Sequence, residues 1–142
     1  MAEAYFRHIC QNAGLHNITV SSAGTYAGNG EPASEIAIQI MKKQGIDISG
    51  HKSSCLDREK IKSADIIVAM TASHRHYIGS LDASALSKTH LLHEYDHRNN
   101  DDVHDPFGSN EQEYEDCFLE MKNALDNLFL DLSPAKNLNR IN

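Results

Sequence analysis

Ala2, Tyr5, Phe6, Ile9, Cys10 and Ala13 recur at intervals of three and four, and Gly14 follows them. That spacing predicts an amphipathic helix from residue 2, with glycine as its stop. "NITVSSAG" is short, β-branched and closed by glycine, which predicts a strand over 18–22 and then a loop through "TYAGNGEP". Ser34 is placed to cap a helix that buries Ile36, Ala37, Ile40 and Met41 and ends at Gly45. The run "ADIIVAM" at 64–70 is almost continuously apolar, as in a parallel strand covered on both faces. A short helix over 72–80 and a strand in "THLLHEY" follow. Ser109 and Gln112 have the spacing of a capping box, and Tyr114, Phe118, Met121, Leu125, Leu128 and Leu132 then repeat at intervals of four and three. That is a long final helix.

Strands alternating with helices predict an α/β fold, a three-layer doubly wound parallel sheet with helices on both faces. The 142 residues suffice for one compact core, so residues 1–132 are expected to form a single domain and 133–142, "SPAKNLNRIN", a C-terminal tail. The first helix lacks both a capping residue and a preceding strand, so the chain opens in the middle of a motif.

Charge narrows the partners. The net charge is −7, and the 13 Lys and Arg are scattered without a run, which argues against nucleic acid and against an anionic membrane surface. No stretch reaches the roughly 18 to 20 apolar residues of a membrane span. The first residues, "MAEAYFRHIC", carry acid and base where a signal peptide has an apolar core, so the expected location is cytoplasmic. Cysteines at 10, 55 and 117 form neither a disulfide framework nor a Cys-x-x-Cys pair and read as reduced thiols.

Of the chemistry-bearing residues, "VHDPFGS" at 103–109 is the most suggestive, with Asp105 before proline on a glycine-bearing loop. By itself the Asp-Pro pair reads more readily as a turn before the last helix than as a catalytic acid. Cys10 and Cys117 fall on apolar helix faces, the setting of inert thiols. Cys55 in "SSCLDREK" is near a helix start, yet Arg58 follows it by three residues and no glycine-rich cradle lies between. His93 and His97 have the i, i+4 spacing of a helical metal pair, with His90 beside them. They straddle a strand and a polar turn without a cysteine, so a solvated loop cluster is expected, and no metal site. "HRH" at 74–76 reads as helix surface.

Taken in order, "MAEAYFRH", "SSAGT", "GEPAS", "GIDISGHKS", "SADIIVAMTASH" and "VHDPFG" resemble the low-molecular-weight protein tyrosine phosphatases over nearly the whole chain. "AMTASH" and "DPFG" look closer to the bacterial protein arginine phosphatase branch than to members reading Asp-Pro-Tyr-Tyr. The resemblance implies a four-stranded parallel sheet and hydrolysis of phosphotyrosine or phosphoarginine on proteins through a cysteinyl-phosphate. It also implies a Cys-x5-Arg phosphate loop between the first strand and first helix, where free helix amides lower the thiol pKa and bind phosphate oxygens. The family's residues just after that loop look like "MAEAYF". The first, central strand, the nucleophile and the clamp arginine are therefore absent from these 142 residues, and a longer functional form is expected.

Carried over residue by residue, the resemblance makes Asp105 the general acid and base, on a loop expected to be mobile. Phe107 lines the pocket mouth, Tyr26 forms part of the opposite wall, and Ser22 and His51 support the phosphate loop. Gly108 stands where tyrosine-type members carry a second aromatic. A phosphorylated protein is the implied partner, with no cofactor and no metal, and nothing specifies an oligomeric state. A second class is a non-catalytic, phosphatase-like binding protein that keeps the acid loop without turnover. Arsenate reduction, found on this fold, needs resolving cysteines that 69–88 does not contain.

Overall fold

In a computed structural model, residues 1–96 and 102–133 are described. Helix α1 spans Ala2–Asn12, α2 Glu35–Lys43, α3 Arg58–Ser63, α4 Ala72–Leu81 and α5 Glu111–Leu132. Strand β1, Ile67–Ala69, pairs in parallel with β2, Thr89–Leu91, so that Val68 stands beside His90. Two 3-10 turns, Ala83–Lys88 and Leu92–Glu94, flank β2.

Alternation along β1 divides the apolar side chains between two cores. Val68 and Met70 lean on one that holds Phe6, Ile40, Leu92 and Phe118. Ile67 and Ala69 face the other, built with Ile61 of α3, Ile78 of α4, Ala85 and Leu91. Helices thus cover both faces of a parallel sheet, the expected α/β layering.

Local chemistry places the helix ends. Ser34 accepts the Ala37 amide at 3.3 Å and starts α2, as its sequence position predicts. Gly14 after α1 and Gly45 after α2 both take φ near +74°, the left-handed stop that glycine adopts without a Cβ clash. Asp57 caps α3 through the Lys60 amide at 2.8 Å, and Thr71 caps α4 through the His74 amide at 3.1 Å.

Three expectations need correction. Residues 18–22 form no ladder among the described residues. Ile18 and Val20 still lean on the core at a period of two, so the pattern identified a buried face but not a backbone partner. The second strand stops at Leu91, where Leu92–Glu94 tighten into a 3-10 turn. The cap of α5 is Asn110, which accepts the Glu113 amide at 3.1 Å, one residue beyond the expected Ser109. The tail beyond residue 133 lies outside the described residues.

Helix α5 presents Tyr114, Cys117, Phe118, Met121, Ala124, Leu125 and Leu128 to the first core. Phe118, 1% exposed, meets Tyr5 of α1 edge to face at 5.6 Å between centroids. Replacing Phe118 by Ala is expected to cost about 3 to 5 kcal/mol, measured as a lower urea midpoint at unchanged slope.

Candidate active site

The Asp105 loop is built on three supports. The Ala72 amide at the start of α4 donates to Asp102 Oδ1 at 2.7 Å, and the Val103 amide donates to Met70 O, just past β1, at 2.9 Å. The Cys117 thiol of α5 donates to His104 O at 3.4 Å. After this root, Asp105 Oδ1 accepts the Phe107 amide at 3.0 Å, and the Ser109 amide closes a turn on Pro106 O at 2.9 Å. Gly108 sits inside that turn at φ +80°, where a side chain would be strained. The loop was expected to be mobile; its root is tied to three elements, and its tip carries the acid and Phe107, which is 81% exposed.

Cys117 feels charges from both the loop and the start of α1. Burial, then the Glu120 and Asp105 carboxylates, push the Cys117 thiol up to about 11, and the Met1 amine pulls it back. The Met1 amine is itself lowered by burial and raised by Glu3 and Cys117. Asp105, Cys117 and the first turn of α1 therefore share one neighbourhood.

In the first turn of α1 stands Glu3, whose side chain is 13% exposed. It accepts the Ser22 hydroxyl at 2.5 Å, pairs with Arg7, and lies 3.9 Å from His51 Nδ1. Arg7 also donates to Val20 O at 3.0 Å, which pins the 18–22 segment to α1. Two residues separated by 29 positions, Ser22 and His51, are thus gathered by one carboxylate. Sequence reading passed over Glu3 because it looks like ordinary first-turn acid on a helix.

Tyr26, 92% exposed, sits on an excursion of the chain. Its ring lies 6.0 Å from that of Tyr77 on α4, a contact the spacing did not suggest. The excursion is clipped at its base by bridges Gly24 to Cys55 and Pro32 to Lys52. At Gly24 a Cβ would stand 2.7 Å from Ala27 Cβ, so the tight start of the loop demands glycine.

These features bear directly on comparison with known proteins. The sequence model described as low molecular weight phosphotyrosine protein phosphatase matches residues 1–140. The chain belongs to this family. A protein-arginine-phosphatase of Bacillus subtilis (strain 168) is 35% identical over 128 residues, covering 90% of this chain and 84% of that one. The low molecular weight protein-tyrosine-phosphatase PtpA of Staphylococcus aureus (strain Newman) is 32% identical over 90% of this chain and 81% of its own. Among solved structures, the YwlE arginine phosphatase of Geobacillus stearothermophilus superposes with a TM-score of 0.83 at 32% identity, over 92% of this chain and 82% of that one. A YwlE mutant described with a phosphorylated active site serine gives 0.87 at 33% identity, over 96% and 89%.

Within this phosphatase-family chain, none of the cysteines has an arginine six residues on: His16, Ile61 and Asn123 stand there. Cys10 and Cys117 are buried, as their helix faces predict. Cys55 is half-buried in the bridge to Gly24, its amide donating to Asn29 Oδ1 at 2.8 Å, and it lies outside helix α3. Of the histidine cluster, His93 departs from the expected solvated setting. His93 is fully buried, with Nδ1 3.1 Å from Asp96 Oδ2 and Nε2 3.0 Å from Glu120 Oε1, tying the turn after β2 to α5. His90 pairs with Glu94 at 3.3 Å, and His97 lies outside the described residues. No group of side chains suited to a metal occurs among the described residues, and no helix there is long and apolar enough to cross a membrane.

The thiols supply a direct check. At about pH 8, alkylation is expected to reach Cys55 and to spare Cys10 and Cys117. Because folding raises the Cys117 value above that of a free thiol, the folded state keeps a proton that the unfolded state loses between about 9 and about 11. Stability should therefore fall as pH rises through that window, with Cys117 labelling appearing there.

Proposed function

We propose that the protein is a cysteine-dependent protein phosphatase acting on phosphoarginine or phosphotyrosine side chains. The observation that carries this reading is that Cys117, whose thiol donates to His104 O at 3.4 Å next to Asp105, belongs to the same core that Met1 and Tyr5 of the α1 start pack against. A phosphate loop ending at the first turn of α1 would bring its bound phosphoryl group toward that end of the core and the acid beside it.

In this reading the thiolate attacks phosphorus in line with the leaving group, and protonated Asp105 gives its proton to the departing oxygen or nitrogen. Asp105, now ionised, takes a proton from the water that cleaves the phosphocysteine. Its bond from the Phe107 amide orients the carboxylate before substrate arrives. Phe107 and Tyr26 offer exposed aromatic faces to the substrate protein, and Ser22 and His51, held by Glu3, support the phosphate loop. The nucleophile and clamp arginine belong, on this reading, to a segment outside the 142 residues, which contain no Cys-x5-Arg string. Support for the covalent step comes from the YwlE structure described with a phosphorylated active site serine. Support for phosphoarginine comes from the two Bacillus-group relatives described as arginine phosphatases, and from glycine at 108 where a second aromatic would add a tyrosine-binding face.

The test pairs an intact-mass measurement with an assay of protein isolated from its own source, on phosphoarginine and phosphotyrosine peptides. Phosphate release is expected from a protein heavier than 15.8 kDa, with roughly a 10²- to 10⁴-fold loss of kcat on Asp105→Asn. No release by a protein of 15.8 kDa would replace this reading with that of a non-catalytic phosphatase-like binding protein.

A further inference from the structure

Asp102 takes no part in the chemistry above, yet its side chain makes a specific long-range bond. Its Oδ1 accepts the Ala72 amide at 2.7 Å across 30 residues of chain. Ala72 is the first residue of α4, and Thr71 Oγ1 already holds the His74 amide of the same turn. The first amides of a helix have no partner within it, so α4 takes one acceptor from its own cap and a second from the acid segment. A carboxylate there also gains from the positive end of the helix dipole.

The two residues after Asp102 are held by backbone atoms: the Val103 amide on Met70 O and the His104 carbonyl on the Cys117 thiol. Many residue types at 103 and 104 could make those bonds. Only the contact at 102 depends on the side chain, and it lies three residues before Asp105.

We propose that Asp102 is a positioning residue: its bond to the first amide of α4 sets the register of the acid segment and so the place of the Asp105 carboxylate. The inference rests on the phosphatase reading for what Asp105 does, while the latch itself can be tested without turnover. Asp102 is exposed, so its loss leaves both cores intact.

Amide hydrogen exchange and thiol labelling are compared in the wild-type protein, Asp102→Ala and Asp102→Asn. The Phe107 amide reports the Asp105 carboxylate that it binds, the Val103 amide reports the root, and Cys117 reports opening of the loop above it. Cys10 and the amides of α1 report global unfolding. A lost acceptor at a helix N-terminus shifts a local equilibrium by roughly tenfold. Asp102→Ala should therefore speed exchange at Phe107 and Val103, and labelling of Cys117, about tenfold with α1 unchanged. Asp102→Asn, which keeps an acceptor oxygen, should restore wild-type rates. Unchanged rates in Asp102→Ala, or a rise shared equally by α1 and Cys10, would overturn the proposal. Failure of the phosphatase reading would show separately, as absence of turnover by the native protein, and would not alter these rates.

Discussion

The apolar stripe of α5 is the surface on which the other parts take their positions. Tyr5 and Phe6 of α1, Ile40 and Met41 of α2, Leu92 after β2 and Val103 of the acid segment share one core with Phe118, Met121 and Leu125. A helix of 22 residues is about 33 Å long, enough to reach from the acid loop at one end to the last turn of the core at the other. Its N-terminal half holds Tyr114 and Cys117 beneath the loop, and its middle holds Tyr5, whose hydroxyl donates to Asp126 at 2.6 Å. Lys122 completes that group by donating to Asp126 at 2.7 Å and lying 5.4 Å from the Tyr5 ring. The start of α1 and the acid loop are therefore registered against the same rigid rod, which is how segments about a hundred residues apart meet.

Polar groups inside this arrangement are paired. No buried side-chain nitrogen or oxygen among the described residues lacks a partner. Thr89, in β2, turns its hydroxyl back to Ala85 O at 2.8 Å, and His93 is held between carboxylates of two elements. Leaving any of these groups buried and unpaired would cost about 1 to 3 kcal/mol. The pairs thus discriminate against other placements of the turn that follows β2, a matter on which apolar packing alone says little.

Helices were legible in the sequence because their signals are local: Ser34, Gly14 and Gly45 act within one turn of themselves. The layering was legible too, since "ADIIVAM" alternates between two cores while remaining apolar throughout. What escaped was whatever depends on a distant partner. The strand pattern at 18–22 was correct for Ile18 and Val20 but silent on pairing, and the Ser22 and His51 grouping depends on Glu3, which no motif marks. Asp105 and Phe107 became candidates only through resemblance, because Asp-Pro is common in turns. His93 misled for a related reason: its polarity suggested solvent, but its two carboxylate partners lie three and 27 residues away.

The excursion carrying Tyr26 has a further meaning. Backbone bonds join Gly24 to Ser54 and Leu56, and Glu31 to Ser53, so the two strands of its neck stay together whatever the tip contains. Lengthening a loop whose ends are already clamped adds little entropy cost, since that cost grows only with the logarithm of length. Residues 25–27, inside the bonds that Gly28 O and Asn29 Oδ1 accept from Ser53 and Cys55, form a module that could be exchanged without disturbing either core. Such an exchange would leave the Asp105 loop, anchored on α4, beside β1 and on α5, where it is.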